Sequence, residues 1–489
     1  MSVLALLPVV LLAVSPTQAD GWRSLVPEPF LDGRERWVEL YWKAWELYRS
    51  GIHEGTEANG LVSRYVGASE DRVRQLETAL LVACGRYGHR AFPTAISLDN
   101  FYRKQHADGF MSAGILESDG RSARPPTDLA EVCPPLLAWA EWQHYLVTAD
   151  RSRLRFAYPY LSRNFWWMDS NLRTPAGALL PGRGSLGPPW QAAVGSVEMT
   201  SLQALNARCL ADMARVLENR TEEQRFRKQA EALAGVANAV LWSQDEGFYC
   251  DVDAVSQHVG FEREGKHIPR ATIAGAYALF AGIASSERAN KVVARLTDRK
   301  GFLQAHSFSS LPFDDPLYQP DSVRLGAVSP IANYLVIRGL AQLGYADIAL
   351  LAAENHLEGL AKTFARTGQL WDAYAANAFR PAEGARPDST GISVCSAVAL
   401  LIESVLGIEV DAPAGEVRWN LRQTAKHGIR RLPVGEGTVD LECAARAHRR
   451  SPAKLSIESD RSFTLVVNLG GREVRKSISP GETVFEVSP

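Results

Sequence analysis

Adjacent carboxylates, grouped aromatics and one long acid-free stretch are the features of this chain that bear first on chemistry. Asp314 and Asp315 stand side by side before Pro316, which has the look of a pair of general acids. Neighbouring side chains in a loop usually point apart, so turn formation and hydrogen bonding are the expected role. Trp190 and Trp371 lie in connecting segments, where an indole face is available to stack on a sugar ring. Trp139, Trp142, Trp166 and Trp167 fall on helix-periodic stretches and are expected in the core. No Asp or Glu occurs between Asp169 and Glu198, so the loop Pro181-Gly-Arg-Gly-Ser-Leu-Gly-Pro-Pro-Trp190 holds no carboxylic acid that could donate a proton. Cys84, Cys133, Cys209, Cys250, Cys395 and Cys443 show no C-x-x-C and no histidine at ligand spacing. They are expected to be small buried hydrophobes, with one or two disulfides of unassigned pairing left open and no metal site.

The elements that must position these residues are mostly helical. From about Arg36 to Leu406 the apolar residues recur at helical spacing in segments broken by Pro/Gly-rich connections. Leu202, Leu205, Cys209, Leu210 and Met213 define one such stripe, interrupted by Asn206. Similar patterns cover Leu136–Leu146, Ala271–Ile283, Tyr334–Leu343, Ile348–Leu360 and Ser396–Val405. A long series of helical hairpins with loops of varied length fits an α/α toroid, in which inner helices line a pocket and the loops of one rim build the site. After Gly407 the pattern changes: Thr438–Cys443, Leu455–Glu458, Phe463–Val467 and Thr483–Val487 are short, β-branched and partly alternating, with turns at Gly470-Gly471 and Pro480-Gly481. The expected organisation is a signal peptide at 1–19, a helical domain at 20–408 and a C-terminal β domain, a sandwich, at 409–489.

The leader is read from the apolar run ending at Val14, with Thr17 and Ala19 at the −3 and −1 positions of a cleavage site, although no Lys or Arg precedes it. A secreted or periplasmic protein is the expectation, with no membrane anchor after cleavage. With a formal net charge of −2 and only the short basic cluster Arg446-Ala-His-Arg-Arg450, the chain is a poor candidate for nucleic acid or an anionic membrane.

Three stretches lead to a family. Ser97-Leu-Asp-Asn-Phe-Tyr-Arg-Lys-Gln-His-Ala-Asp-Gly-Phe110 is long and specific, Asn333-Tyr-Leu-Val-Ile-Arg-Gly-Leu340 precedes Gly344-Tyr345, and Leu370-Trp-Asp-Ala-Tyr374 lies before the last helical segment. Together with Gly247-Phe-Tyr249 and Phe313-Asp-Asp-Pro316, they resemble the trehalase-like glycosidases of glycoside hydrolase family 63, especially the mannosylglycerate-hydrolase-like branch. The resemblance covers about residues 60 to 408. It implies a mainly α protein with an (α/α)6 barrel, and inversion at an α-glycosidic bond with an oligosaccharide or small α-glycoside as ligand. One carboxylic acid would protonate the leaving oxygen while one carboxylate activates water, with no metal or organic cofactor.

Residue by residue the resemblance is uneven. Relatives carry the acid in a segment like S-G-M-D-N-S-P-R; here Arg183-Gly-Ser-Leu-Gly-Pro-Pro-Trp190 puts Leu186 in its place, and a leucine donates no proton. The base segment W-E-N-Y corresponds to Trp371-Asp-Ala-Tyr374, which makes Asp372 the implied base. Its carboxylate is one methylene, roughly 1.5 Å, further back than a glutamate's. Q-W-D becomes Gln75-Leu-Glu77, and R-G-P-V-W-P becomes Leu325-Gly-Ala-Val-Ser-Pro330. Glu198, in Val197-Glu-Met-Thr200, is the implied substitute acid, or else an early-turn acid that offsets a helix N-terminus; Glu77 is a second substitute. Gln75, Glu77, Gln105, Trp190, Asn333, Tyr334, Trp371 and Tyr374 are the implied substrate contacts. Two readings follow: a hydrolase with a remodelled site, or a catalytically silent member that binds a saccharide or a partner through the same rim.

Overall fold

The computed structural model describes residues 21–67, 71–123, 132–182, 194–253, 261–263 and 266–489. The leader and the loop holding Leu186 and Trp190 lie outside the described residues. The periodic segments become α1 (Glu35–Ser50), α2 (Gln75–Gly85), α3 (Leu137–Thr148), α4 (Arg151–Leu172), α5 (Val197–Val216), α6 (Arg220–Val240), the short α7 (Tyr277–Phe280), α8 (Ser286–Thr297), α9 (Pro330–Gln342), α10 (Ala346–Thr367) and α11 (Thr390–Cys395). The last continues through Ser396–Val405 in wider turns. Several starts are written in the sequence: Asp150, Ser196, Asn219, Ser285 and Ser329 each accept a backbone N–H of the first turn of the helix they precede. Ser329 with Pro330 at the first helical position explains one of the changed segments, since serine there caps α9.

Two kinds of helix alternate. In α2 and α9 nearly every side chain is buried, whereas α6 buries only Phe226, Ala230, Leu233 and Ala237, and α8 only Ala289, Val292, Val293 and Leu296. The more buried helices pack in succession: α2 on α3, α3 on α5, α5 on α7, α7 on α9, α9 on α11, and α11 back on α2. α1, α4, α6 and α10 cover them from outside. Cys84 and Cys395 form a disulfide between α2 and α11, joining residues 311 apart in sequence, and Cys133, Cys209, Cys250 and Cys443 are buried. None of the described helices is long and apolar enough to cross a membrane.

The C-terminal strands are β2 (Ile408–Asp411), β3 (Glu416–Asn420), β4 (His427–Val434), β5 (Gly437–Cys443), β6 (Ala453–Ser459), β7 (Phe463–Leu469), β8 (Arg472–Ile478) and β9 (Gly481–Val487), and β1 (Glu28–Leu31) joins them from the N-terminal side. They form two sheets in the orders β1-β4-β5-β6-β9 and β2-β3-β7-β8. All neighbours are antiparallel except β3 and β7. Thus the N-terminal part of the segment assigned to the helical domain supplies an edge strand to the β region: Glu28 pairs with Arg430 and Leu31 with His427. Trp419 of β3 meets His427 of β4 with ring centroids 5.8 Å apart, and Arg446 donates to the carbonyls of Leu421 and Gln423. The basic cluster therefore braces these sheets through Arg446.

Candidate active site

The loop between α10 and α11 folds back on itself in a short ladder. Asp372 N donates to Arg386 O (3.1 Å), Arg386 N returns a bond to Asp372 Oδ1 (2.8 Å), and Trp371 faces Pro387. Tyr374 exchanges backbone bonds with Val328 in both directions, which fastens the ladder to the approach of α9. Arg386 Nε also donates to Asp372 Oδ2 at 2.8 Å, so both oxygens of Asp372 are held by one residue. The Asp372 side chain is 11% exposed and that of Arg386 is 56% exposed, so this ion pair reaches the surface through its arginine.

Glu77, in the first turn of α2, belongs to the same place. It is buried, and burial pushes its pKa up; the Arg74 and Arg386 cations pull it back, and the Asp372 charge raises it again. The mutual influence puts Glu77, Asp372 and Arg386 in one electrostatic group, with Arg74 Nε 4.0 Å from Glu77 Oε2. Such an environment keeps a carboxyl protonated to higher pH, the property a general acid needs. Gly391 of α11 backs this carboxyl: a Cβ there would come within 2.7 Å of Glu77 Cβ. Gly391→Ala is therefore expected to cost ~1–3 kcal/mol by overpacking, read as a lower denaturation midpoint.

Gln75, beside Glu77, is buried with Nε2 on Ser112 O (3.3 Å), and Trp371 is half-buried with its indole N–H on Thr367 Oγ1 (3.2 Å). The other implied contacts are engaged differently. Gln105 Nε2 donates to Gly109 O and Tyr160 O, which clamps the Gln105–Gly109 turn to α4. Gly109, at φ +103, has no room for a side chain, because a Cβ would lie 2.6 Å from Arg163 O. Asn333 spends its amide on Phe308 N, Phe308 O and Ser329 O. Tyr334 reaches Glu403 Oε2 (3.2 Å), and the Tyr374 hydroxyl accepts Trp371 N (2.9 Å). Gln105, Asn333 and Tyr374 thus hold backbone segments in place, whereas Tyr334 joins the buried Glu403 network.

Glu198 is 1% exposed in the first turn of α5, and its charge helps raise the Tyr277 hydroxyl pKa, so it faces α7. The capping of α5 is done by Ser196 and by Asp251, which accepts Val197 N at 2.7 Å. Asp314 and Asp315 bind different cations, Arg295 and Arg270, and Asp315 Oδ1 accepts Leu317 N, as a turn requires. Arg386 and Arg74 were not legible as site residues. A lone arginine before Pro387 has no periodicity, and its meeting with Asp372 follows from the loop ladder alone.

Comparison with known proteins agrees with this frame. A family described as "Mannosylglycerate hydrolase MGH1-like glycoside hydrolase domain" matches residues 185–393. An uncharacterized protein of Borreliella burgdorferi is 23% identical over 422 residues, 83% of this chain and 86% of that protein. Mannosylglycerate hydrolase MGH1 of Selaginella moellendorffii is 34% identical over 118 residues, 24% of this chain and only 22% of the plant protein. The GH63 mannosylglycerate hydrolase of Thermus thermophilus, solved with glucose, shares the fold with a TM-score of 0.57 at 19% identity, covering 74% of this chain and 99% of its own.

Proposed function

We propose that this chain, a GH63-like glycosidase whose central region is a mannosylglycerate hydrolase MGH1-like domain, hydrolyses a small α-glycoside with a relocated acid. In this reading α2, α3, α5, α7, α9 and α11 are the inner helices of an (α/α)6 barrel, and the two C-terminal sheets form a sandwich. Its support is the closed succession of helix contacts and the solved neighbour's fold. The sugar enters between the start of α2 and the Trp371–Arg386 loop. Asp372 activates water, Glu77 protonates the leaving oxygen, and Arg386 orients Asp372. Inversion requires ~6.5–9.5 Å between the two carboxyl groups, so that water fits on one face of the sugar.

The observation that carries this reading is Glu77, a buried carboxyl whose pKa is pushed up beside Asp372. The test is a screen of purified protein against trehalose, α-glucosides, α-mannosides and mannosylglycerate, with the first-formed anomer followed by proton NMR. Release of the attacked glycosyl unit as its β-anomer, one β and one α sugar in the case of trehalose, supports an inverting hydrolase; release of that unit solely as the α-anomer rejects inversion. A second reading, a saccharide-binding protein without hydrolysis, is favoured by one fact: Arg386 occupies both oxygens of Asp372. Binding without turnover of any α-glycoside would select it.

Export belongs to the same proposal, supported by the apolar leader and by the Cys84–Cys395 disulfide, a bond typical of oxidising compartments. The expected mature N-terminus is Asp20, and intact-mass analysis of secreted or periplasmic material checks it. A retained Met1 would reject the leader.

A further inference from the structure

We propose that the chain carries a second saccharide-binding cleft, at the end of the helical domain away from Glu77 and Asp372. Two cavities of about 350 and 590 Å³ adjoin there and share Trp139, Trp142, Gln143, Phe280 and Gln342. Both volumes fall in the roughly 300–1,000 Å³ range of small-molecule sites. Their place follows from the helices. Glu77 begins α2 while Arg86, which lines the smaller cavity, stands just past its end, ~13 Å along at 1.5 Å per residue. Glu198 begins α5 while Asp212, which lines the larger cavity, lies ~21 Å further on. The β domain closes one side through Glu409, Asp411, Glu416 and Arg418.

The lining selects a neutral polyhydroxyl ligand. Most of its charges are already paired, Arg86 with Glu403, Arg338 with Glu409, Arg418 with Glu473, Glu416 with Arg475 and Arg227 with Asp212, while Arg208, Glu231 and Asp411 make no ion pair among the described residues. The unpaired remainder, one arginine against two carboxylates, favours no anionic ligand, and the carboxylates and guanidinium groups keep spare lone pairs and N–H groups for hydroxyls. The side-chain amides of Gln143 and Gln342 make no hydrogen bond among the described residues and offer donors and acceptors at the junction of the two cavities. Trp142 is half-buried and lines both, so its indole presents an apolar face beside those amides. An aromatic face flanked by neutral or neutralised polar groups is what the two sides of a pyranose ring require. This cleft does not depend on the chemistry proposed for Asp372.

The test is equilibrium binding of neutral linear tetrasaccharides (α-glucan, β-glucan and α-mannan) and of one uronic acid tetramer to the full chain. At least one neutral tetrasaccharide is expected to bind, and the uronic acid tetramer to bind less tightly. Trp142→Ala is expected to weaken the neutral ligand ~10-fold, about the energy of one aromatic stacking contact. Gln143→Ala, a smaller change at a partly exposed position, is expected to weaken it in the same direction. Glu77→Gln and Asp372→Asn are expected to leave this binding intact. The cleft is rejected if no neutral tetrasaccharide binds, if the uronic acid tetramer binds better, or if binding is lost in Glu77→Gln or Asp372→Asn and kept in Trp142→Ala and Gln143→Ala.

Discussion

Glu77→Gln and Asp372→Asn are each expected to lower the hydrolytic kcat by ~10²–10⁴-fold, the usual contribution of a positioned acid or base. Both substitutions keep the shape of the side chain, so a loss reports chemistry rather than packing. In Asp372→Asn one oxygen still accepts from the Arg386 backbone, which keeps the loop ladder, while the charge that faces Arg386 Nε disappears. The pH profile separates the two roles. A general acid must be protonated, and burial raises the Glu77 pKa above the ordinary glutamate value, so activity is expected to fall as pH rises through that displaced pKa. The Arg74 cation lowers it; Arg74→Met should therefore move the alkaline limb to higher pH. The same sign applies to stability: because folding raises the Glu77 pKa, its contribution is fully present below the unfolded value and is lost as pH rises through the folded one. A rate unchanged by Glu77→Gln would remove Glu77 as the acid, and Glu198→Gln would then be the next substitution to measure.

The largest loss of stability is expected at Glu403. Its carboxylate, on a side chain 1% exposed, lies 2.6 Å from Arg86 Nη2 and 3.0 Å from Arg338 Nε, and it accepts the hydroxyls of Tyr87 and Tyr334, both at 3.2 Å. Burial alone would push both guanidinium pKa values down, yet the surrounding groups hold them above the ordinary value. Glu403→Ala would leave Arg86 in the interior without a carboxylate and Arg338 with only Glu409. The expected cost is ~3–5 kcal/mol, the range for breaking a buried ion pair from one side. A chemical denaturation series on the full chain measures it. The double substitution Arg86→Met with Glu403→Leu is expected to recover much of that loss, since a buried pair replaced by apolar groups of similar size is often near neutral. A single Glu403→Ala variant as stable as the parent would show that this network contributes nothing measurable.

Tyr334 illustrates how far the sequence could be read. The segment Asn333–Leu340 pointed to a family, and the resemblance placed Asn333 and Tyr334 on substrate. In the structure Asn333 fastens α9 to the Phe308 backbone, and Tyr334 belongs to the Glu403 network. The Gln105–Gly109 turn is of the same kind, a clamp on α4. A family's recurring motifs mark what the frame needs as well as what the ligand needs, and a residue string does not separate the two. Asp372 and Glu77 were legible as carboxyl groups of interest; their shared electrostatic field was not.

Local signals alone determined the run of helices, five of whose starts carry capping side chains, and the strands near Thr438, Leu455, Phe463 and Thr483, because periodicity and capping act over a few residues. β4 escaped that reading: it contains Pro433, a shift of register between Ile429 and Leu432, and Arg431 at positive φ, so its alternation is broken. β1 escaped because four residues carry too little pattern, and its pairing partner is about 400 residues away. Tertiary structure alone decided which cysteines pair, which arginine meets Asp372, and that two adjoining cavities share Trp142 and Gln143. Each of these depends on groups distant in sequence brought together by the packing of whole helices, a non-local condition that no short window of residues records.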